Sequence, residues 1–115
     1  MNQDCIFCRI AGGQIPAKEL YRDEDVLAIE DVNPQAPCHA LVLPLQHHDN
    51  IATLVEAGDG ATTGKLFEVA SRLGRERGGE NGFRLVINTG SNGGQTVNHL
   101  HVHVLAGRPM TWPPG

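Results

Sequence analysis

The chain has 115 residues, 40% of them hydrophobic, and its nine basic and thirteen acidic residues leave a net charge of −4. That length suits one domain, and the hydrophobic share excludes a disordered chain. The lack of a long apolar run excludes a membrane-spanning helix. No stretch concentrates Lys and Arg, which argues against a nucleic-acid-binding face. A single phosphate stays compatible, because backbone amides and histidines bind one without a basic patch. The cysteines, Cys5, Cys8 and Cys38, are odd in number. The opening MNQDCIFCRI has no basic segment followed by an apolar one. Together these features lead us to expect a reduced, cytoplasmic protein.

Residues 4–11 (DCIFCRIA) read as a short helix with Asp4 near its start and Gly12-Gly13 ending it. Residues 18–22 and 26–31 read as strands joined in a hairpin by Asp23-Glu24-Asp25. Two prolines fix the loop Asn33-Pro34-Gln35-Ala36-Pro37. Residues 39–45 (HALVLPL) form a strand that ends at Pro44 or lies at an edge. A short helical turn is expected over 50–56. The long helix covers 60–77, with Leu66, Val69, Ala70 and Leu73 on its core face and Gly78-Gly79 closing it. Residues 83–88 (FRLVIN) make a strand, 89–95 (TGSNGGQ) a glycine-rich loop, and 99–105 (HLHVHVL) a last, strictly alternating strand. The set predicts an α+β domain with a mainly antiparallel five-stranded sheet and two helices.

Six histidines is a high number for this length: His39, His47, His48, His99, His101 and His103. On a strand, alternation puts His99, His101 and His103 on one face and Leu100, Val102 and Val104 on the other. The plain alternatives are an exposed polar face or a His-rich metal tract. Upstream, Gly90, Gly93 and Gly94 would let backbone amides approach a phosphate, with Thr96 adding a hydroxyl. Such a loop by itself is a plain turn; beside three histidines an anion site is the better reading. Cys5-x-x-Cys8 alone cannot complete a tetrahedral metal site, and two buried thiols on a short helix would look the same.

Residues 93–115, GGQTVNHLHVHVLAGRPMTWPPG, resemble the C-terminal signature of the histidine-triad (HIT) family, His-φ-His-φ-His-φ-φ with φ apolar. The ending Arg108–Gly115 is similar to that of the Hint branch, the histidine triad nucleotide-binding proteins. Cys5-Ile6-Phe7-Cys8 through Ile15-Pro16 resembles the family's opening, and Asp31–His39 its central segment. The resemblance covers the whole chain, so residues 1–115 are expected to be one HIT domain. It implies a HIT-like fold whose sheet continues across a homodimer, paired through the long helix and the strand at 83–88. It also implies a purine nucleoside phosphoramidase-like hydrolase acting through a covalent nucleotidyl-histidine.

In that resemblance His101 is the nucleophile, His103 contacts the phosphate or the leaving group, and His39 supports the triad from an adjacent strand. Alone, His39 reads equally as a satisfied core histidine. The nucleotide contacts would be Ile29, Asp31, Val32, Asn88, Gly94, Gln95 and Thr96, together with His101 and His103. Asp31 would hold the ribose hydroxyls, although by itself it is a strand-end turn acid. Asn88 alone is equally a turn former. Ile29 and Val32 would line a base pocket that sandwiches a purine without choosing adenine or guanine. The resemblance further implies a structural zinc, dispensable for the chemistry, on Cys5, Cys8, His47 and His99, with His48 a rival for His47. The implied partners are AMP or GMP conjugates and a second copy of the chain. Thr111 departs from the histidine often found in that tail. The Trp112-Pro113-Pro114-Gly115 ending argues against dinucleoside polyphosphate hydrolases, and a histidine at 103 argues against nucleotidylyl transferases, which carry glutamine there. A nucleotide sensor with little turnover is the reading from another class.

Overall fold

Two strands, β2 (Val26–Glu30) and β3 (Cys38–Pro44), are buried over nearly their whole length in the computed structural model, which describes residues 4–115. Burial on both faces requires apolar residues at successive positions, and VLAI and ALVLP supply them. β1 (Glu19–Arg22) forms a hairpin with β2. Beyond β3 come β5 (Val102–Ala106) and then β4 (Phe83–Ile87). The result is the expected antiparallel five-stranded sheet, in the order β1-β2-β3-β5-β4. Pro44 ends β3, which is central and not an edge.

Helix α3 (Gly60–Gly78) lies across one face of the sheet. Its Leu66, Val69, Ala70 and Leu73 are buried, as their spacing predicts, against Val26, Ala28, Ala40, Val42, Val102 and Val104. The Asp59 carboxylate starts the helix by accepting from the Thr62 amide at 2.9 Å. Gly79, at φ 60°, stops it in a backbone region that side-chain-bearing residues avoid. Helix α1 (Ile6–Ala11) covers the other face, packing Phe7 and Cys8 on Leu27, Ile29, Leu41 and Leu43. It starts after Cys5, which caps it, rather than at Asp4.

Two expectations are corrected. The described residues hold three α-helices, not two, because α2 (Ile51–Glu56) is a formed helix. Asn50 and Thr53 bond each other's amides reciprocally, satisfying donors that so short a helix leaves open. The last strand begins at Val102, not His99. Pro44 has no N–H to extend a ladder past this point. The Leu100 amide donates instead to the His48 carbonyl at 2.7 Å, and the Pro44 carbonyl is taken by the His99 ring at 2.8 Å. His99–His101 therefore precede the paired strand. No helix among the described residues is long and apolar enough to cross a membrane.

Candidate functional site

The histidines form a row on the α1 side of the sheet, and each of the triad meets different company. His99, fully buried, lies edge-on to the rings of His47 (4.9 Å between centroids) and Phe7 (5.8 Å). His101, nearly buried, sits between Phe7 and His103, 5.0 Å from each. His103 then meets His39, its neighbour across β3 and β5.

A carbonyl oxygen can only accept, so it fixes the proton of any imidazole bonded to it. The His99 carbonyl lies 2.7 Å from His101 Nδ1, which must therefore carry the proton. In the neutral ring Nε2 of His101 then holds the lone pair, as a nucleophile at phosphorus requires. His103 is held neutral: burial, with the neighbouring imidazoles of His101 and His39, pushes it down to about 4 against the pull of Asp31. Burial also lowers His39, and again Asp31 opposes.

At the other end of the row, Cys5, Cys8, His47 and His99 bring one ligand atom each within 4.8 Å of one another. Cys5 Sγ is 3.2 Å from His99 Nδ1, and Cys8 Sγ is 3.4 Å from His47 Nδ1. Both rings donate their far proton to an oxygen, His99 Nε2 to the Pro44 carbonyl and His47 Nε2 to Asp49, each at 2.8 Å. That leaves two Nδ1 lone pairs converging on two thiols. Cys2His2 with its histidines oriented from behind is a closed structural zinc set, so the residues fit the metal. Burial raises the Cys5 thiol; a divalent cation among these atoms would favour the thiolate instead. His48 is not part of this group. It lines a separate pocket with Asp25, Gln46 and Asp59.

Residues 12–110 match the HIT domain. The chain belongs to the HIT domain family. It is 47% identical over 117 residues to a HIT-like protein of Synechococcus elongatus, with both chains covered completely. It is 45% identical over 112 residues to a 14 kDa zinc-binding protein of Zea mays, covering 96% of this chain and 87% of that one. Among solved structures, a HIT family hydrolase from Legionella pneumophila superposes with a TM-score of 0.91 at 45% identity, covering 96% and 99% of the two chains. A histidine triad protein from Clostridium difficile gives 0.88 at 41%, covering 96% of each.

The remaining expected site residues of this HIT domain come from β2, the turn after it and the segment between β4 and β5. Asp31 follows β2. Its Oδ1 accepts from the Asn33 amide at 2.8 Å, and its Oδ2 lies 3.4 Å from His39 Nε2. Ile29 is buried under α1, whereas Val32 is 98% exposed. The glycine-rich loop is bonded to itself. Asn88 Nδ2 donates to the Gly93 carbonyl at 2.7 Å, Gly94 N to Ser91, and Gln95 N to Gly90. Gln95 further accepts from the Gly90 amide and donates to the Asp49 carbonyl at 2.6 Å. Asn88 thus closes the loop, as its turn-former reading allows, and Thr96 is exposed. Sequence reasoning missed Phe7, which wedges between His99 and His101, and Asp49, which orients His47. Asp49 had a signal, a carboxylate two residues beyond a candidate ligand histidine. Phe7 had none beyond its place between the two cysteines.

Proposed function

We propose that residues 1–115 form one HIT domain of the Hint branch, a hydrolase that cleaves purine nucleoside 5′-phosphoramidates. The observation that carries this reading is the His101–His99 carbonyl bond, which frees His101 Nε2 for attack. Nε2 bonds to the α-phosphorus, the P–N bond breaks, and the amine leaves after taking up a proton. Water then displaces His101 to release the nucleoside monophosphate and returns a proton to the medium. The route splits one hard displacement into two easier ones. His103 contacts the phosphate or the leaving group, and His39 supports it from β3. Asp31, directly after β2, receives the ribose hydroxyls. Ile29 and Val32 border the base, and Asn88, Gly94, Gln95 and Thr96 border the phosphate.

Zinc on Cys5, Cys8, His47 and His99 is supported by the convergent lone pairs and by the zinc-binding relative from Zea mays. It would tie α1 to the segment before β5 and take no part in the reaction. Three unpaired thiols support a reducing, cytoplasmic setting.

A homodimer is supported at the β4 end of the sheet. All five β4 residues are half-buried within the single chain, and β4 ends the sheet. An edge strand invites pairing with another chain. The tail is tethered beside it, with Arg84 of β4 donating to the Thr111 and Pro114 carbonyls. Trp112 stands 85% exposed, a large apolar side chain suited to a partner surface. A second copy pairing along β4 and α3 would place each tail near its partner's site. Light scattering at micromolar concentration should then give twice the monomer mass, and a fully active monomer would overturn this part. Deleting Met110–Gly115 should change preference among leaving groups more than AMP binding. The central test is turnover of an AMP-amine conjugate, with mass spectrometry of the quenched enzyme showing a nucleotidyl adduct on His101. AMP binding without turnover on a panel of amines would favour the sensor reading.

A further inference from the structure

A second group of ligand atoms lies in the proposed active site: Asp31, His39 and His103 also bring theirs within 4.8 Å of one another. Two imidazoles and a carboxylate are a donor set that divalent ions accept. A neutral imidazole bound to a metal through one nitrogen must carry its proton on the other and donate it away. At His39 the outer nitrogen, Nδ1, meets a donor. The Gln35 main-chain amide points at it from 3.0 Å. An amide N–H cannot accept, so His39 Nδ1 keeps its lone pair and the ring proton sits on Nε2. That proton faces His103 Nδ1 at 2.9 Å, closer than Asp31 Oδ2 at 3.4 Å. His103 Nδ1 therefore accepts, and the His103 proton sits on Nε2. A metal at His39 Nε2 would force either an imidazolate or an Nδ1–H set against the Gln35 N–H, leaving the amide without an acceptor.

Residue 35 is held firmly enough to impose this. Its carbonyl accepts from Arg108 Nε at 2.9 Å. Pro34 and Pro37 flank it, and Gly107, at φ 95°, packs so close to Pro37 that an added side-chain carbon would come within 2.9 Å of Pro37 Cβ. The first residues beyond β5 thus buttress the loop that presents the amide.

We propose that the main-chain amide of Gln35 sets the proton positions of the active-site histidines, holding His39, and through it His103, in the Nε2–H form. His103 then offers the phosphoryl oxygen a neutral hydrogen-bond donor, and the departing amine draws its proton from water. The same arrangement keeps divalent ions out of the Asp31–His39–His103 group. Gln35 is a positioning residue acting through His39, and its side chain plays no part in the bond. The use made of the His103 proton rests on the proposed reaction; the proton positions do not.

Nitrogen-15 imidazole spectra of the zinc-loaded protein near neutrality read the proton positions directly, without substrate. His39 and His103 should both show a protonated Nε2 and an unprotonated Nδ1, and zinc should saturate at one equivalent per chain. Gln35→Ala, which keeps the amide, should leave these signals unchanged. Gln35→Pro, which lacks it, should bring up an Nδ1–H population at His39 and admit a second zinc equivalent. A protonated Nδ1 on either ring of the wild type overturns the proposal. So does a second wild-type zinc equivalent that is lost in His39→Gln, and so does Gln35→Pro with unchanged tautomers. If Gln35→Pro does not fold, the wild-type spectrum and stoichiometry still decide. Failure of AMP-amine turnover leaves these readouts untouched and counts against the reaction alone.

Discussion

Two ligand clusters share one face of one sheet, yet they are wired in opposite senses. In the Cys5–Cys8–His47–His99 cluster, each ring has an oxygen behind it, the Asp49 carboxylate or the Pro44 carbonyl. In the Asp31–His39–His103 cluster, the His39 ring has an N–H behind it. Oxygen behind an imidazole turns its lone pair inward, toward a metal. An N–H behind it turns the proton inward, toward the next ring. The hydrogen-bond partner behind the ring thus decides between a metal centre and a proton chain. His101 sits between the clusters with an oxygen behind it, the His99 carbonyl, and so turns a lone pair toward the proposed phosphorus position.

The largest expected effect is at this junction. His101→Ala should lower turnover of an AMP-amine by about 10³-fold or more while AMP binding survives, because the covalent route is lost. Steady-state kinetics with a binding titration would show it, and near-normal turnover would sink the mechanism. Next comes the metal cluster. Cys8→Ser should remove the proposed single zinc, as read by elemental analysis, and destabilise the fold by about 4 kcal/mol at a thousandfold excess of metal over its dissociation constant. Turnover measured below the melting transition should change much less than in His101→Ala, since no zinc-directed side-chain atom bonds His101. A large loss of turnover in the stable range would join the two clusters into one device.

Local signals made most of the scaffold readable. The α3 core face, its Gly79 stop and the apolar runs of β2 and β3 are properties of neighbouring residues. The break before Val102 was not readable, because it depends on Pro44 and His48, more than fifty residues away in sequence. Alternation over His99–His103 is the same pattern whether or not a partner strand is present. The proposed zinc ligands came only through family resemblance, since nothing local links Cys5 to His99. The Gln35 amide had no signal of any kind: every residue but proline carries one, and only the fold says where it points.

Asp49 tests the wiring of the metal cluster without touching a ligand. Asp49→Ala removes the acceptor behind His47 and should weaken zinc binding about 10- to 100-fold. Competition with a chelating dye measures this. Unchanged affinity would mean that His47 needs no orientation from behind.

The smallest expected effect belongs to Asp31→Asn, which separates two roles at one residue. An asparagine side-chain oxygen can still accept from the Asn33 amide, so the turn after β2 should persist and stability should move by no more than about 0.5 kcal/mol. What goes is the charge. Asp31 alone opposes the burial that depresses His39 and His103. Its loss leaves both rings further from protonation, and so still neutral. The ribose hydroxyls, however, lose a charged acceptor, which should weaken AMP binding about tenfold. A 2′,3′-dideoxy nucleotide lacks those hydroxyls and should bind the variant and the wild type alike. Equal weakening of both nucleotides would move Asp31 out of the ribose site and into the histidine chain, where its effect would pass through His39. Zinc content should stay at one per chain in either case, since Asp31 shares no bond with the metal cluster.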